Sequence, residues 1–198
     1  VLACFAELGV EATLQDAVGM YAIALWDRQS RKLTLARDRM GEKPLYYGYT
    51  GGNLAFASEL KALMPIPGFG ANLNRHALAS FMRHNYIPAP QSIYEGIAKL
   101  PPGTWLEIDE GMVNRRELPE PRVYWSARQA ADQGLAHPLS FGSDKEAVDA
   151  LEQVLGQAVR GQMLSDVSLG AFLSGGIDSS TIVALMQAGS TQPVRTFS

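Results

Sequence analysis

Apolar and polar positions alternate in blocks along the first third of the chain. VGMYAIALW (Val18–Trp26) gives way to the polar DRQSRK (Asp27–Lys32) and then to LTLA (Leu33–Ala36), the pattern of two strands folded back on each other. A second pair, PLYYGYT and LAFAS, meets at Gly51-Gly52-Asn53, a strong hairpin signal. Four strands this closely spaced predict an antiparallel sheet.

Helical spacing appears at both ends of that sheet. VLACFAELG is the last part of a helix stopping at Gly9, with Cys4 buried beside Leu2, Phe5 and Leu8 as a small hydrophobe. ELKALM starts a short helix at Glu59, and Asn74 caps another with Leu78, Phe81 and Met82 on one face. Four prolines in IPAPQSIYEGIAKLPPG forbid long regular helix there. Thr104–Ile108 and Met112–Arg116 flank an EG turn as a last hairpin.

From about Glu117 to Gly142 the periodicity fades, and the chain divides there: residues 1–120 as a first domain, 121–142 as a linker, 143–198 as a second. Ser143 with Glu146 forms a capping box for a helix with Val148, Leu151, Leu155, Ala158 and Val159 on its apolar face. Next comes a strand at Val167–Leu173, a glycine-rich loop, and a helix at Ser179–Ala188 carrying Ile182, Leu185 and Met186, which Gly189 ends. PVRTFS begins a further strand. The expected fold is thus α+β with antiparallel sheets followed by the start of an α/β domain, and the chain is expected to be an internal piece of a longer protein.

Composition narrows the class of function. With 198 residues, 46% hydrophobic and 19% charged, the chain has an ordinary globular balance, and its net charge of −3 offers no electrostatic footprint for nucleic acid. No segment reaches the roughly 20 apolar residues of a membrane span. One cysteine excludes a disulfide framework and fits a reducing cytoplasm, and the three histidines (His76, His84, His137) lack metal-ligand spacing.

The chemistry concentrates in FLSGGIDSS (Phe172–Ser180). Gly175 and Gly176 let several backbone N–H groups converge on one anion at the positive end of the following helix. The spacing is not that of a P-loop, and no lysine is present. A carboxylate among phosphate-binding amides would repel the ligand unless a divalent cation lay between them, so Asp178 is the expected Mg²⁺ ligand in a triphosphate complex. A second dense stretch, ARDRMGEKPLYYG (Ala36–Gly48), is either an ordered seam near a catalytic pocket or a structural charged corner; a buried strand end tolerates such charges only if they pair. The aromatic set Tyr46, Tyr47, Tyr49 and Phe56 is expected in the core.

SGGIDSS resembles the pyrophosphate-binding loop of ATP pyrophosphatases. Together with GMYAIALWD, ARDRMGEKPLYY, FASELKAL and LPPG in this order, it resembles the glutamine-hydrolysing asparagine synthetase family across essentially the whole chain. The resemblance implies an Ntn-hydrolase-type glutaminase followed by a Rossmann-like ATP pyrophosphatase. It also implies ATP and Mg²⁺, glutamine, and aspartate or another carboxylate as small-molecule partners, and a homodimer. Carried onto this chain, it places Leu173 at the nucleotide, Ser174, Gly175, Gly176, Asp178, Ser179 and Ser180 on the pyrophosphate, and Asp178 on Mg²⁺. The family's catalytic cysteine, and the synthetase acid and lysine, have no counterpart in this sequence, so the chain alone is expected to turn over neither half-reaction. A β-lactam-synthetase-like cyclase, a paralogue acting on another carboxylate, and a non-catalytic nucleotide-binding domain stay open as alternatives.

Overall fold

The computed structural model describes all residues, Val1–Ser198, and divides them into two compact units, Val1–Ala136 and His137–Ser198. In the first unit α1 (Leu2–Asp16) leads into β1 (Ala22–Asp27) and β2 (Lys32–Arg37), an antiparallel pair with Ala22 opposite Arg37 and Asp27 opposite Lys32. The stretch Val18–Tyr21 lies outside the strand, so β1 is shorter at its start than the apolar run suggests. β3 (Tyr46–Thr50) and β4 (Asn53–Ala57) form the second hairpin. Gly51 and Gly52, at φ 57° and 84°, provide the left-handed pair that its tight turn requires.

The two hairpins belong to different sheets. β2 pairs with β6 (Thr104–Asp109), which pairs with β7 (Arg122–Val123), giving the order β1-β2-β6-β7; β3 pairs with β5 (Ile97–Lys99), giving β4-β3-β5. The period of 2 then sorts side chains into layers. Leu35, Leu106 and Ile108 of the first sheet meet Tyr47 of the second together with Leu45 and Leu100. On the opposite face Ala36 and Trp105 pack against Phe5 and Leu14 of α1. The outer face of the second sheet sends Ala55 and Ile97 against Leu63, beside the 3₁₀ turn Leu60–Ala62. Helix, sheet, sheet and an outer covering therefore stack in that order. This is an α+β unit built on antiparallel sheets.

Several local expectations change. α1 is interrupted at Gly9 (φ 78°, ψ 177°) but resumes to Asp16, and Cys4 is exposed because only Phe5 of its neighbours turns inward. Met112–Arg116 is no strand: Asp109 accepts from the Met112 N–H at 2.8 Å and caps α3 (Glu110–Arg115), so the chain leaves β6 as a helix. α2 (Arg75–His84) is capped by Asn74 as expected, yet Ala77 is its buried residue, and Leu78, Phe81 and Met82 face outward. Of the aromatic set, Tyr47 is in the core and Phe56 is exposed. The region of fading periodicity holds β7 and a further helix, α4 (Ala127–Ala136).

In the second unit α5 (Asp144–Gln162) starts at Ser143, whose Oγ accepts from the Glu146 N–H at 3.3 Å. The Glu146 carboxylate reaches back to the N–H of Gly142 rather than that of Ser143. Val159 is buried on α5, whereas Val148 and Leu151 are exposed. β8 (Gly170–Phe172) and β9 (Arg195–Phe197) pair in parallel, joined through α6 (Ile177–Ala188). A parallel pair cannot be closed by a tight turn, and the helix is its crossover.

Candidate functional site

At the carboxyl end of β8 the backbone turns sharply into α6. Leu173 continues the strand by one bond, its N–H donating to the Phe197 carbonyl at 2.7 Å. Ser174 follows, then Gly175 at φ 79°, a conformation that suits glycine, and then Gly176 at φ −79°, ψ 159° as the helix N-cap. All seven residues expected at a nucleotide site, Leu173, Ser174, Gly175, Gly176, Asp178, Ser179 and Ser180, thus fall in one strand–loop–helix.

The start of α6 is open. No side chain caps it, and the first intrahelical bond is that from the Ser180 N–H to the Gly176 carbonyl at 3.1 Å. The amides of Ile177, Asp178 and Ser179 precede that bond and have no helical acceptor. Free donors at a helix start are the arrangement that favours a nearby anion. Glycine at 176 is not required by the chain itself: a Cβ there would meet only the Ser174 Oγ, at 3.7 Å.

Asp178 lies exposed in the first turn of α6, and no cluster of three or more His, Cys, Asp or Glu forms anywhere in the chain. A single hard carboxylate beside an uncapped helix start is a donor set that fits Mg²⁺ only if most of the ion's oxygen ligands come from a ligand and water. The hydroxyls are already engaged. Ser179 Oγ donates to the Gly176 carbonyl at 3.1 Å, Ser180 Oγ to the same oxygen at 2.8 Å, and Ser174 Oγ lies 3.1 Å from Ser179 Oγ. The role of the Gly176 carbonyl is invisible in the sequence, because backbone acceptors leave no side-chain signal.

In the first unit the charged corner resolves as a buried frame. Arg37 donates to the carbonyls of Gly41 (2.6 Å), Lys43 (2.9 Å) and Leu100 (2.7 Å), while Asp38 accepts from the amides of Tyr21 (3.4 Å), Glu42 (2.9 Å) and Lys43 (2.9 Å). These charges are satisfied by backbone rather than by each other. Burial pushes Arg37 below its ordinary range, and the adjacent Asp38 opposes that shift. At the opposite end of β2, an opening of about 500 Å³ is lined by Trp26, Leu33, Leu54, Phe56 and Val113 together with Asp109 and the Arg31–Glu110 ion pair.

A layered antiparallel unit followed along the chain by a strand–loop–helix with an uncapped helix start defines a two-part protein. The first part matches the family described as glutamine amidotransferase domain over residues 1–125, and the second matches asparagine synthase over residues 150–198. The chain belongs to the glutamine-hydrolysing asparagine synthetase family. Among curated relatives it is 36% identical over 188 residues to a Mycobacterium tuberculosis protein named "Putative asparagine synthetase (glutamine-hydrolyzing)", covering 93% of this chain and 27% of the relative. It is 32% identical over 189 residues to a Methanocaldococcus jannaschii protein with the same name numbered 2 (94% and 34%). It is 32% identical over 194 residues to asparagine synthetase (glutamine-hydrolyzing) 2 of Bacillus subtilis (93% and 24%). The chain therefore spans about a quarter to a third of these relatives' length.

Proposed function

We propose that this chain is part of an ATP-dependent amidotransferase in which glutamine is hydrolysed in an Ntn-type first domain. The ammonia is delivered to a carboxylate adenylated in a Rossmann-like second domain, aspartate being the acceptor and asparagine the product. The observation that carries the reading is the conjunction, in one chain and in the family's order, of the antiparallel sandwich with the open cradle at Ser174–Ser180. The sandwich supplies the scaffold of the glutaminase. The chain's one cysteine, Cys4, lies exposed on α1 and takes no part in that chemistry.

Adenylation builds negative charge on the departing pyrophosphate as the substrate carboxylate attacks the α-phosphorus. The amides of Ile177, Asp178 and Ser179 are fixed before the reaction and need no reorganisation to meet that charge. Asp178 would hold Mg²⁺, which supplies charge neutralisation between the phosphate oxygens. Leu173 offers an apolar surface to the nucleotide from the end of β8. Homodimer assembly and a cytoplasmic setting accompany this reading.

The test uses the full-length protein with glutamine, aspartate, ATP and Mg²⁺. Glutamate, asparagine, AMP and pyrophosphate are expected together. Aspartate-dependent exchange of pyrophosphate into ATP isolates the second site. Exchange with a different carboxylate would move the acceptor, and none with any carboxylate would remove the adenylation reading.

A further inference from the structure

The outer face of the first sheet changes character along its length. Register sets the rows: Ile23, Ala36 and Trp105 stand side by side, then Leu25, Thr34 and Glu107, then Asp27 and Lys32. α1 covers the apolar row, where Phe5 and Leu14 pack on Ala36 and Trp105. Beside the polar rows the space between helix and sheet is not filled, and a groove of about 440 Å³ remains. Leu2, Phe5 and Ala6 of α1 give it an apolar side, and Lys32, Thr34 and Glu107 give it a polar one. The break in α1 at Gly9 belongs to this opening, since a Cβ there would meet no atom within 4 Å.

The polar side has unused capacity. Thr34 is only 4% exposed, yet its hydroxyl makes no hydrogen bond within the chain. A buried hydroxyl without a partner is costly, and this residue lines the groove. Lys32 Nζ donates to Glu107 Oε1 at 2.7 Å, and the pair is part-buried. That bond uses one of three ammonium hydrogens and one of two carboxylate oxygens. Thr34 lies directly opposite Glu107 and two positions from Lys32 on the same face, so a cation, an anion and a neutral donor meet within one small patch.

We propose that this groove binds a free α-amino acid with an apolar side chain. The ligand carboxylate takes unused Lys32 hydrogens and the Thr34 hydroxyl, and its ammonium takes the second Glu107 oxygen. The side chain lies against Phe5 and Ala6. A ligand carrying both charges gives each member of the ion pair a further partner, whereas a singly charged one serves only one of them. The apolar wall disfavours polar side chains, which sets this site apart from any that would hold glutamine or aspartate. The volume is that of a small-molecule site and suits a ligand of this size.

Calorimetry on the full-length protein tests this with L-leucine, with 3-methylbutylamine, which lacks the carboxylate, and with 4-methylpentanoate, which lacks the amine. Leucine is expected to bind with a Kd of about 1 mM or tighter, and each analogue at least about tenfold more weakly. Thr34→Val should weaken leucine about tenfold while the thermal midpoint holds or rises, because the hydroxyl it removes has no protein partner. Lys32→Met and Glu107→Gln should each weaken binding at least about tenfold. Ala6→Trp fills the groove from the helix side with the ion pair intact, and should abolish binding. No binding of leucine up to about 20 mM would overturn the proposal. So would wild-type affinity in the Thr34, Lys32 and Glu107 variants, which would place leucine elsewhere. An analogue bound as tightly as leucine would overturn the assignment of a doubly charged ligand. A lowered midpoint in Thr34→Val with leucine affinity kept would show that the hydroxyl serves the fold alone.

Discussion

Tyr124 donates its phenol hydrogen to the carbonyl oxygen of Arg37 at 2.8 Å, joining positions 87 residues apart. Because that hydrogen is engaged, Tyr21 is the donor in the 2.8 Å contact between the two phenols. The same Arg37 holds three carbonyls of its own with its guanidinium. The segment that leaves β7 is thereby tied to the frame that shapes the 38–45 loop.

Removing this tie tests it directly. Tyr124→Phe keeps the buried ring and deletes two hydrogen bonds, leaving the Arg37 carbonyl short of a donor and the Tyr21 hydroxyl short of an acceptor. A loss of about 1–2 kcal/mol is expected in urea unfolding of the full-length protein. Tyr21→Phe removes the donor at the chain's outer end and leaves the Arg37 bond intact, so it should cost less. Equal effects would place the two phenols in one indivisible unit.

High pH acts on the same group. Burial pushes the phenols of Tyr46, Tyr47 and Tyr124 above their ordinary value, and Tyr124 is raised further by its bond with Tyr21. The unfolded chain releases these protons near pH 10, while the folded chain keeps them. Above that pH the folded state binds more protons, so stability falls as pH rises, and it is unaffected well below. Tyrosinate absorbance should show a late cooperative step coinciding with loss of near-ultraviolet dichroism. Smooth titration of all tyrosines in the folded protein would contradict this.

Asp38 is more demanding than its neighbours because it is almost wholly buried and satisfies three amides. Asp38→Ala strands the Tyr21, Glu42 and Lys43 N–H groups and should cost about 3 kcal/mol. Asp38→Asn keeps one carbonyl oxygen and presents an amide where the other was, so an intermediate loss is expected. Chemical denaturation of both variants orders them. An alanine variant as stable as wild type would mean that water replaces the carboxylate.

Sequence patterning predicted the hairpins well, since alternation and the Gly51-Gly52 turn are local. It put them in one sheet because pairing between sheets is decided at a distance, through β6 and β5, which the alternation of β1–β4 does not encode. Met112–Arg116 follows an EG turn as a returning strand would, but Asp109 caps the segment as a helix, and the cap wins. Arg37 and Asp38 were recognisable as charges needing partners, yet their partners are backbone groups that no side-chain pattern announces. The loop at Ser174–Ser180 was legible because glycine, serine and aspartate each state a backbone or ligand requirement at a fixed spacing.

The two loop glycines should respond differently to alanine. Gly175→Ala forces a side chain into a left-handed backbone and should destabilise the loop itself. Gly176→Ala fits the unliganded chain, because its Cβ meets only ordinary contact, so the thermal midpoint should hold while ATP affinity falls at least tenfold. Unchanged ATP binding in Gly176→Ala would show that the ligand does not approach this backbone.

Asp178 offers the clearest separation of chemistry from folding. It is exposed in the first turn of α6, where an acid contributes at most a few tenths to 1 kcal/mol through the helix dipole. Asp178→Asn removes the charge while keeping the shape, so the thermal midpoint should barely move. With Mg²⁺ held less tightly against the phosphates, aspartate-dependent pyrophosphate exchange should fall by about two orders of magnitude and recover in part at raised Mg²⁺. Under the proposed division between the two domains, glutamine hydrolysis should persist. If exchange stayed at the wild-type rate, Asp178 would be no more than a helix-start acid, and the metal would have to be held elsewhere in the full-length protein.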